Sequence, residues 1–269
     1  MVTVASTTAP AAEVPADRAM KLARIGIAVA KGNGAVEVVR NAEERFAMCS
    51  TFKFLAVAAV LHRVDIGEEK LDRFITYGES DLLEWAPITR QHLSDGGMRI
   101  EDLCFAAIAY SDNTAANLLL RILDGPAGVT SYARSLGDKV TRLDRTEPDL
   151  NDVAKGDERD TTTPAAMVRD MQEILLGGAL SEISRGKLES WMIQNTTGQG
   201  MIRASTPKGW RIGDKTGRNN NSNSNDIAIV RPLSGPPILL AIYVELPNSS
   251  ADERSKIIAD FAADLLTRH

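Results

Sequence analysis

The residues whose types and spacing could do chemistry fall in three short stretches of the 269-residue chain. Ser50-Thr-Phe-Lys53 stands at the head of an apolar run whose periodicity predicts a helix from Thr51 to Arg63. Positions three apart share a helix face, so the amine of Lys53 can come to the hydroxyl of Ser50, and the positive helix N-terminus favours negative charge developing there. Such a pair makes a nucleophile without histidine. Ser111-Asp-Asn113 follows one predicted helix and opens another, where either side chain could equally cap the second helix. Lys215-Thr-Gly217 continues the run Trp210–Asp214 and is expected on a strand, where a small hydroxyl and a glycine would let a ligand approach the strand edge.

Several other chemistries lack their residues. The histidines His62, His92 and His269 have no serine or cysteine motif beside them, and no G-x-S-x-G, phosphate-binding P-loop or H-E-x-x-H occurs. A net charge of −5, with Lys and Arg scattered, offers no basic surface for nucleic acid, so the expected partner is a small molecule. The longest strongly apolar runs, Phe54–Leu61 and Ile238–Val244, are under half of the roughly 20 residues a membrane span needs. Met1–Pro15 is Ala, Thr and Pro rich without a basic start or a long apolar core, so it is not a complete signal peptide. Cys49 and Cys104 allow one disulfide at most, and no spacing suggests a metal or other cofactor.

The elements that must position these residues are strands at both ends and helices between. Arg24–Ala30 and Ala35–Arg40 flank the glycine turn Lys31-Gly-Asn-Gly34 and read as a hairpin. Helices are predicted from Arg99 to Ala109, Thr114 to Leu123, Thr130 to Ser135, Pro164 to Leu176 and Ser181 to Asn195. Strands return at Trp210–Asp214, Ser224–Val230 and Pro237–Glu245, with Asn219–Asn225 as a polar hairpin tip. A last helix follows the capping box Ser250-Ala-Asp-Glu253. Neither end has enough strands to bury a face alone, so one antiparallel sheet assembled from both termini is expected, with flanking helices and a separate helical lobe. That is an α+β fold of the α/β/α sandwich kind. The lobes would be residues 1–48 with 196–269, and residues 49–195, with a ligand cleft at their seam.

In that order, S-x-x-K, S-D-N and K-T-G resemble the signature of class A serine β-lactamases and their penicillin-binding-protein relatives. The resemblance runs along nearly the whole chain, through Glu43-Glu-Arg-Phe46, Ser111-Asp-Asn-Thr-Ala-Ala-Asn-Leu-Leu-Leu120 and Leu143-Asp-Arg-Thr-Glu-Pro-Asp-Leu-Asn151. It implies hydrolysis of penicillins and cephalosporins through an acyl-enzyme on Ser50, giving antibiotic resistance, without a cofactor, by a monomer in the periplasm or outside the cell. The other member of that superfamily with the same nucleophile is a D-Ala-D-Ala carboxypeptidase, which β-lactams inhibit; by the resemblance, Glu147 and Asn151, four apart, hold one water between them for attack on the acyl-enzyme and so separate the two. By resemblance, backbone N–H groups of Ser50 and Arg218 hold the oxyanion, Ser111 passes a proton to the ring nitrogen, and Lys53 and Glu147 compete to be acylation base. Lys215 and Thr216 would meet the substrate carboxylate, Asn113 its side-chain amide, and Trp85 would flank the cleft mouth. An omega loop over 145–160 is expected, with a cis Glu147–Pro148 bond and an Arg145–Asp160 ion pair.

The chain also departs from the family. Val57 and Asn219 stand where the partners of Cys104 and Cys49 would be, so two free thiols are expected and carbapenem hydrolysis is not. By the resemblance, the three positions that can carry a carboxylate-binding arginine hold Met201, Ser224 and Ser255, so Arg218 is either the replacement or an arginine pointing to solvent at the base of the Asn-rich hairpin, since successive strand side chains face opposite ways.

Overall fold

The computed structural model describes residues 22–219 and 222–268; Met1–Pro15, Asn220, Asn221 and His269 lie outside the described residues. The termini meet in one five-stranded antiparallel sheet made of β1 (Arg24–Lys31), β2 (Glu37–Arg40), β7 (Arg211–Arg218), β8 (Asn223–Arg231) and β9 (Ile238–Glu245). Their order across the sheet is β2-β1-β9-β8-β7. The β1–β2 turn works as expected, with Gly32 at φ 53°. Side chains alternate across a strand, so β1, β8 and β9 send apolar residues to both faces. Ile25, Ile27, Val230 and Ile242 pack against Ile257, Ile258, Ala262 and Leu266 of α7 (Ala251–Arg268). Ala28, Ile229, Leu239 and Tyr243 face the helical block instead.

At the centre of that block is α1 (Phe52–Asp65), buried continuously from Phe52 to Leu61. Around it stand α2 (Ile100–Ala109), α3 (Asn113–Ile122), α4 (Pro126–Ser135), α5 (Pro164–Leu175) and α6 (Glu182–Ile193). The helix expected from Thr130 begins at Pro126, because proline at the first helical position follows Gly125 at φ 94°. The capping box is formed: Ser250 N–H donates to Glu253 Oε2 at 2.7 Å and Glu253 N–H to Ser250 Oγ at 3.1 Å. Two short ladders complete the fold, β4 (Phe74–Thr76) with β5 (Gly97–Arg99), and β3 (Phe46–Ala47) with β6 (Thr161–Thr162). The second ties the approach to Ser50 to the far end of the omega loop, and Met48 N–H extends the tie to Asp160 O at 2.9 Å.

Candidate active site

Ser50 lies in a 3₁₀ turn, Cys49–Thr51, that runs into α1, with Cys49 at φ 45°. A non-glycine residue in that region stores strain of order 1–3 kcal/mol, and the surroundings hold it there. Asn225, wholly buried on β8, donates to Ala47 O at 2.8 Å and Met48 O at 3.1 Å. From β7, Gly217 comes so close that an added Cβ would stand 2.6 Å from Met48 O and 3.0 Å from Ser50 N. The glycine therefore admits the backbone of the Ser50 turn rather than a ligand, and it brings the Ser50 and Arg218 amides into one neighbourhood. Nor is Asn225 part of a hairpin tip, since β8 already begins at Asn223.

The Ser50 hydroxyl donates to Glu147 Oε1 at 3.2 Å. Lys53 does not reach Ser50 directly as its spacing suggested. Its three donor directions are taken by Ser111 O at 2.8 Å, Asn113 Oδ1 at 2.6 Å and Glu147 Oε1 at 3.1 Å. Ser111 Oγ lies between two lysines, 3.0 Å from Lys215 Nζ and 3.4 Å from Lys53 Nζ. Ser111 itself is at φ 55°, and Asp112 caps α3 while also accepting from Thr89, so the S-D-N turn is fixed from behind. Burial pushes the Lys53 amine below the ordinary lysine range, and the Glu147 carboxylate draws it part of the way back. Lys215 is pushed well below that range, first by burial and then by the charge of Lys53.

On the other side of Glu147, Asn151 Nδ2 donates to Oε2 at 2.6 Å, and Asn151 Oδ1 is buried without a protein partner. The Glu147–Pro148 peptide is cis. Asp160 accepts from Arg145 Nε at 2.6 Å and from the backbone N–H groups of Asp144 and Arg145, which closes the loop ends. Asn117 on α3 adds a reciprocal pair, accepting from Glu147 N–H at 3.0 Å and donating to Glu147 O at 2.8 Å. Nothing in the spacing of the sequence marked Asn117 for this task.

These groups line a cleft of about 1130 Å³ with Ser50, Ser111, Asn113, Glu147, Thr216 and Arg218 in its walls. Thr216 and Arg218 are two apart on β7 and so share a face. The Thr216 hydroxyl meets that of Thr197, and Arg218 Nη2 donates to Thr197 O at 3.1 Å. Trp85 stands at the rim, 54% exposed, with Nε1 donating to Tyr110 O at 3.1 Å. No cluster of three or more His, Cys, Asp or Glu able to hold a metal ion is present among the described residues.

Residues 16–268 match the sequence profile of the β-lactamase enzyme family. The chain is 43% identical to β-lactamase OXY-2 of Klebsiella oxytoca over 244 residues, 91% of this chain and 83% of that one. It is 44% identical to β-lactamase CTX-M-97 of Escherichia coli over the same shares. Among solved structures, the ancestral GNCA class A β-lactamase superposes with a TM-score of 0.90 at 48% identity, covering 93% of this chain and 96% of that one. The chain belongs to the class A serine β-lactamases. FAR-1 of Nocardia farcinica is a further relative at 42% identity, covering 91% of this chain and 78% of that protein.

The two free thiols expected of this β-lactamase are present, and one further feature is not visible in its motifs. Cys49 and Cys104 are free and buried, and burial pushes both thiols far up, so neither is a nucleophile. Arg254, one residue before Ser255, is 1% exposed behind the β7–β8 hairpin. It donates to Ser224 Oγ at 3.1 Å and to Ser249 O at 2.6 Å. Of the three positions empty of charge, Ser224 is therefore in contact with an arginine that is adjacent to another. Its signal, a basic residue in the first turn of a helix against the favoured charge order, lay outside every motif.

Proposed function

We propose that the protein opens the β-lactam ring of penicillins and cephalosporins and releases the product by hydrolysis of an acyl-enzyme on Ser50. One observation carries this reading: a single carboxylate, Glu147, faces the nucleophile and Lys53 through one oxygen and Asn151 through the other. In acylation Ser50 Oγ bonds to the lactam carbonyl carbon while Glu147 takes its proton, and the backbone N–H groups of Ser50 and Arg218 stabilise the oxyanion. The C–N bond then breaks, Ser111, held between Lys53 and Lys215, gives its proton to the ring nitrogen, and the proton held on Glu147 passes through Lys53 to restore the Ser111 hydroxyl, which frees the carboxylate for the second half. In the second half a water between Glu147 and Asn151 loses a proton to Glu147 and adds to the ester carbonyl. Ser50 leaves and regains its proton from Glu147.

Binding follows from charge. Lys215, Thr216 and Arg218 lie on β7 at the cleft, and their amine, hydroxyl and guanidinium groups would take the carboxylate of an anionic substrate. Asn113 would take the side-chain amide, Gly217 would keep β7 close enough for its backbone to serve, and Trp85 would cover the mouth. The enzyme would act as a monomer, periplasmic or secreted; the cleft is complete within one chain, and no described helix is long and apolar enough to cross a membrane. We take the cleft to be the seam between a sheet lobe, residues 1–48 with 196–269, and a helical lobe, residues 49–195. Steady-state assays of benzylpenicillin, a cephalosporin and a D-Ala-D-Ala peptide test the reading side by side. Multiple turnovers of both β-lactams are expected. Peptide cleavage with only a stoichiometric burst on the β-lactams would assign the chain to the carboxypeptidases instead.

A further inference from the structure

The omega loop is held from two sides, and the second side has no counterpart among the motifs. From the helical block Asn117 grips the backbone of Glu147. From the sheet, Asn219 at the end of β7 donates its Nδ2 to Asn151 O at 3.1 Å. The same carboxamide organises its own turn, because Oδ1 accepts from Ser222 N–H at 2.9 Å and Asn223 N–H at 2.8 Å. That is the local side-chain to backbone pairing for which asparagine is suited. The backbone beneath is braced as well: Asn219 N–H donates to Asn223 O at 3.2 Å, and the buried Arg254 reaches Asn219 O at 3.4 Å. Asn219 is therefore a fixed post, with one donor directed at the loop.

We propose that Asn219 is a positioning residue for the hydrolytic half-reaction: it straps the β7–β8 turn to the omega loop and so sets where Asn151, and through it the Glu147 carboxylate, meets water. The inference rests on the acyl-enzyme reading above. Its geometry separates the two halves of the cycle. Acylation needs Ser50, Lys53, Ser111 and the backbone amides, none of which accepts or donates a hydrogen bond to the Asn219 carboxamide. Deacylation needs Asn151 in register, because its Nδ2 fixes Glu147 Oε2 while its backbone carbonyl is tied to Asn219. A neutral hydrogen bond of this kind corresponds to a change of about 3- to 10-fold in a rate that depends on it.

Two substitutions divide the carboxamide's roles. Asn219→Asp keeps an acceptor for Ser222 and Asn223 but removes the donor to Asn151. Asn219→Ser keeps a turn acceptor, adds no charge and is too short to span to the loop. Single-turnover stopped flow with benzylpenicillin reads acylation and deacylation separately. Both variants are expected to acylate within about twofold of the parent and to deacylate about 3- to 10-fold more slowly. In an Asn151→Ala background the same changes should add nothing to the deacylation defect, since coupled residues are not additive. Equal slowing of both steps, no slowing of deacylation, or full additivity with Asn151→Ala would overturn the strap. If the parent forms no acyl-enzyme with benzylpenicillin, the underlying reading fails instead, and the two failures are thereby distinct.

Discussion

Lys53 Nζ lies 3.1 Å from Glu147 Oε1, both side chains are wholly buried, and the same carboxylate oxygen receives the Ser50 hydroxyl at 3.2 Å. The lysine and the serine thus meet at one carboxylate oxygen. A buried pair of this kind is strongly destabilised when one partner is removed, so the ion pair holds both groups in place for chemistry rather than adding net stability.

Arg218 is expected to bind the substrate carboxylate. Arg218→Ala retains the backbone N–H and tests the side chain alone. Loss of a charge-assisted contact of roughly 1.5–3 kcal/mol should lower kcat/KM on penicillins by about tenfold or more, less on esters that lack the carboxylate. Equal efficiency on acid and ester, within twofold of the parent, would make Arg218 only a prop for Thr197.

Gly217→Ala tests the close approach of β7 to the nucleophile turn. Its Cβ would meet Met48 O at 2.6 Å, so either the strand or the turn must move, and the two oxyanion amides must part. Losing one oxyanion donor costs on the order of 10²–10³ in kcat. Steady-state kinetics should show a drop of about 100-fold with substrate binding largely retained, whereas parental kcat would show that the turn can shift without consequence.

Much of this site was legible because its residues sit on regular elements. Ser50 and Lys53 share the start of α1, and Lys215 to Gly217 lie in a strand whose apolar run pointed to it. The missed residues work through the backbone and carry no period. Asn225 clamps two carbonyls, Asn117 grips Glu147 by its main chain, and the two-residue strands of β3 and β6 are too short to alternate. Lys53 went to Ser111, Asn113 and Glu147 because a buried ammonium must satisfy three donors, which spacing along one helix does not reveal.

Asp170 gives a stability prediction away from the cleft. It is buried on α5 beside the Asp138 carboxylate, and Oδ2 has no partner. Burial first, then Asp138, raise its pKa well above the carboxyl range, against weaker pulls from Arg134 and Arg169. The folded state therefore holds a proton that the unfolded chain gives up near pH 4, and stability falls as pH rises from there through the folded pKa. Asp170→Asn supplies a permanent donor to Asp138, so it should remove this slope and add roughly 1–3 kcal/mol at neutral pH. Urea unfolding at pH 4 and pH 8 should show the gain growing with pH; a constant or reversed difference would mean Asp170 ionises freely.

The most direct test of the central claim is the mass of Glu147→Gln after mixing with benzylpenicillin. The amide keeps the shape of the carboxylate but cannot take a proton from water, and a general base of this kind is worth about 10²–10⁴ in rate. Lys53, released from its carboxylate partner, can replace Glu147 as base in acylation whereas the water has no second base, so acylation should be slowed less than deacylation and the protein should gain the mass of one intact penicillin, mapped to Ser50, and keep it long after the parent has returned to its free mass. Turnover at the parental rate with no adduct would contradict the assignment of Glu147 and with it the acyl-enzyme cycle built on the omega loop.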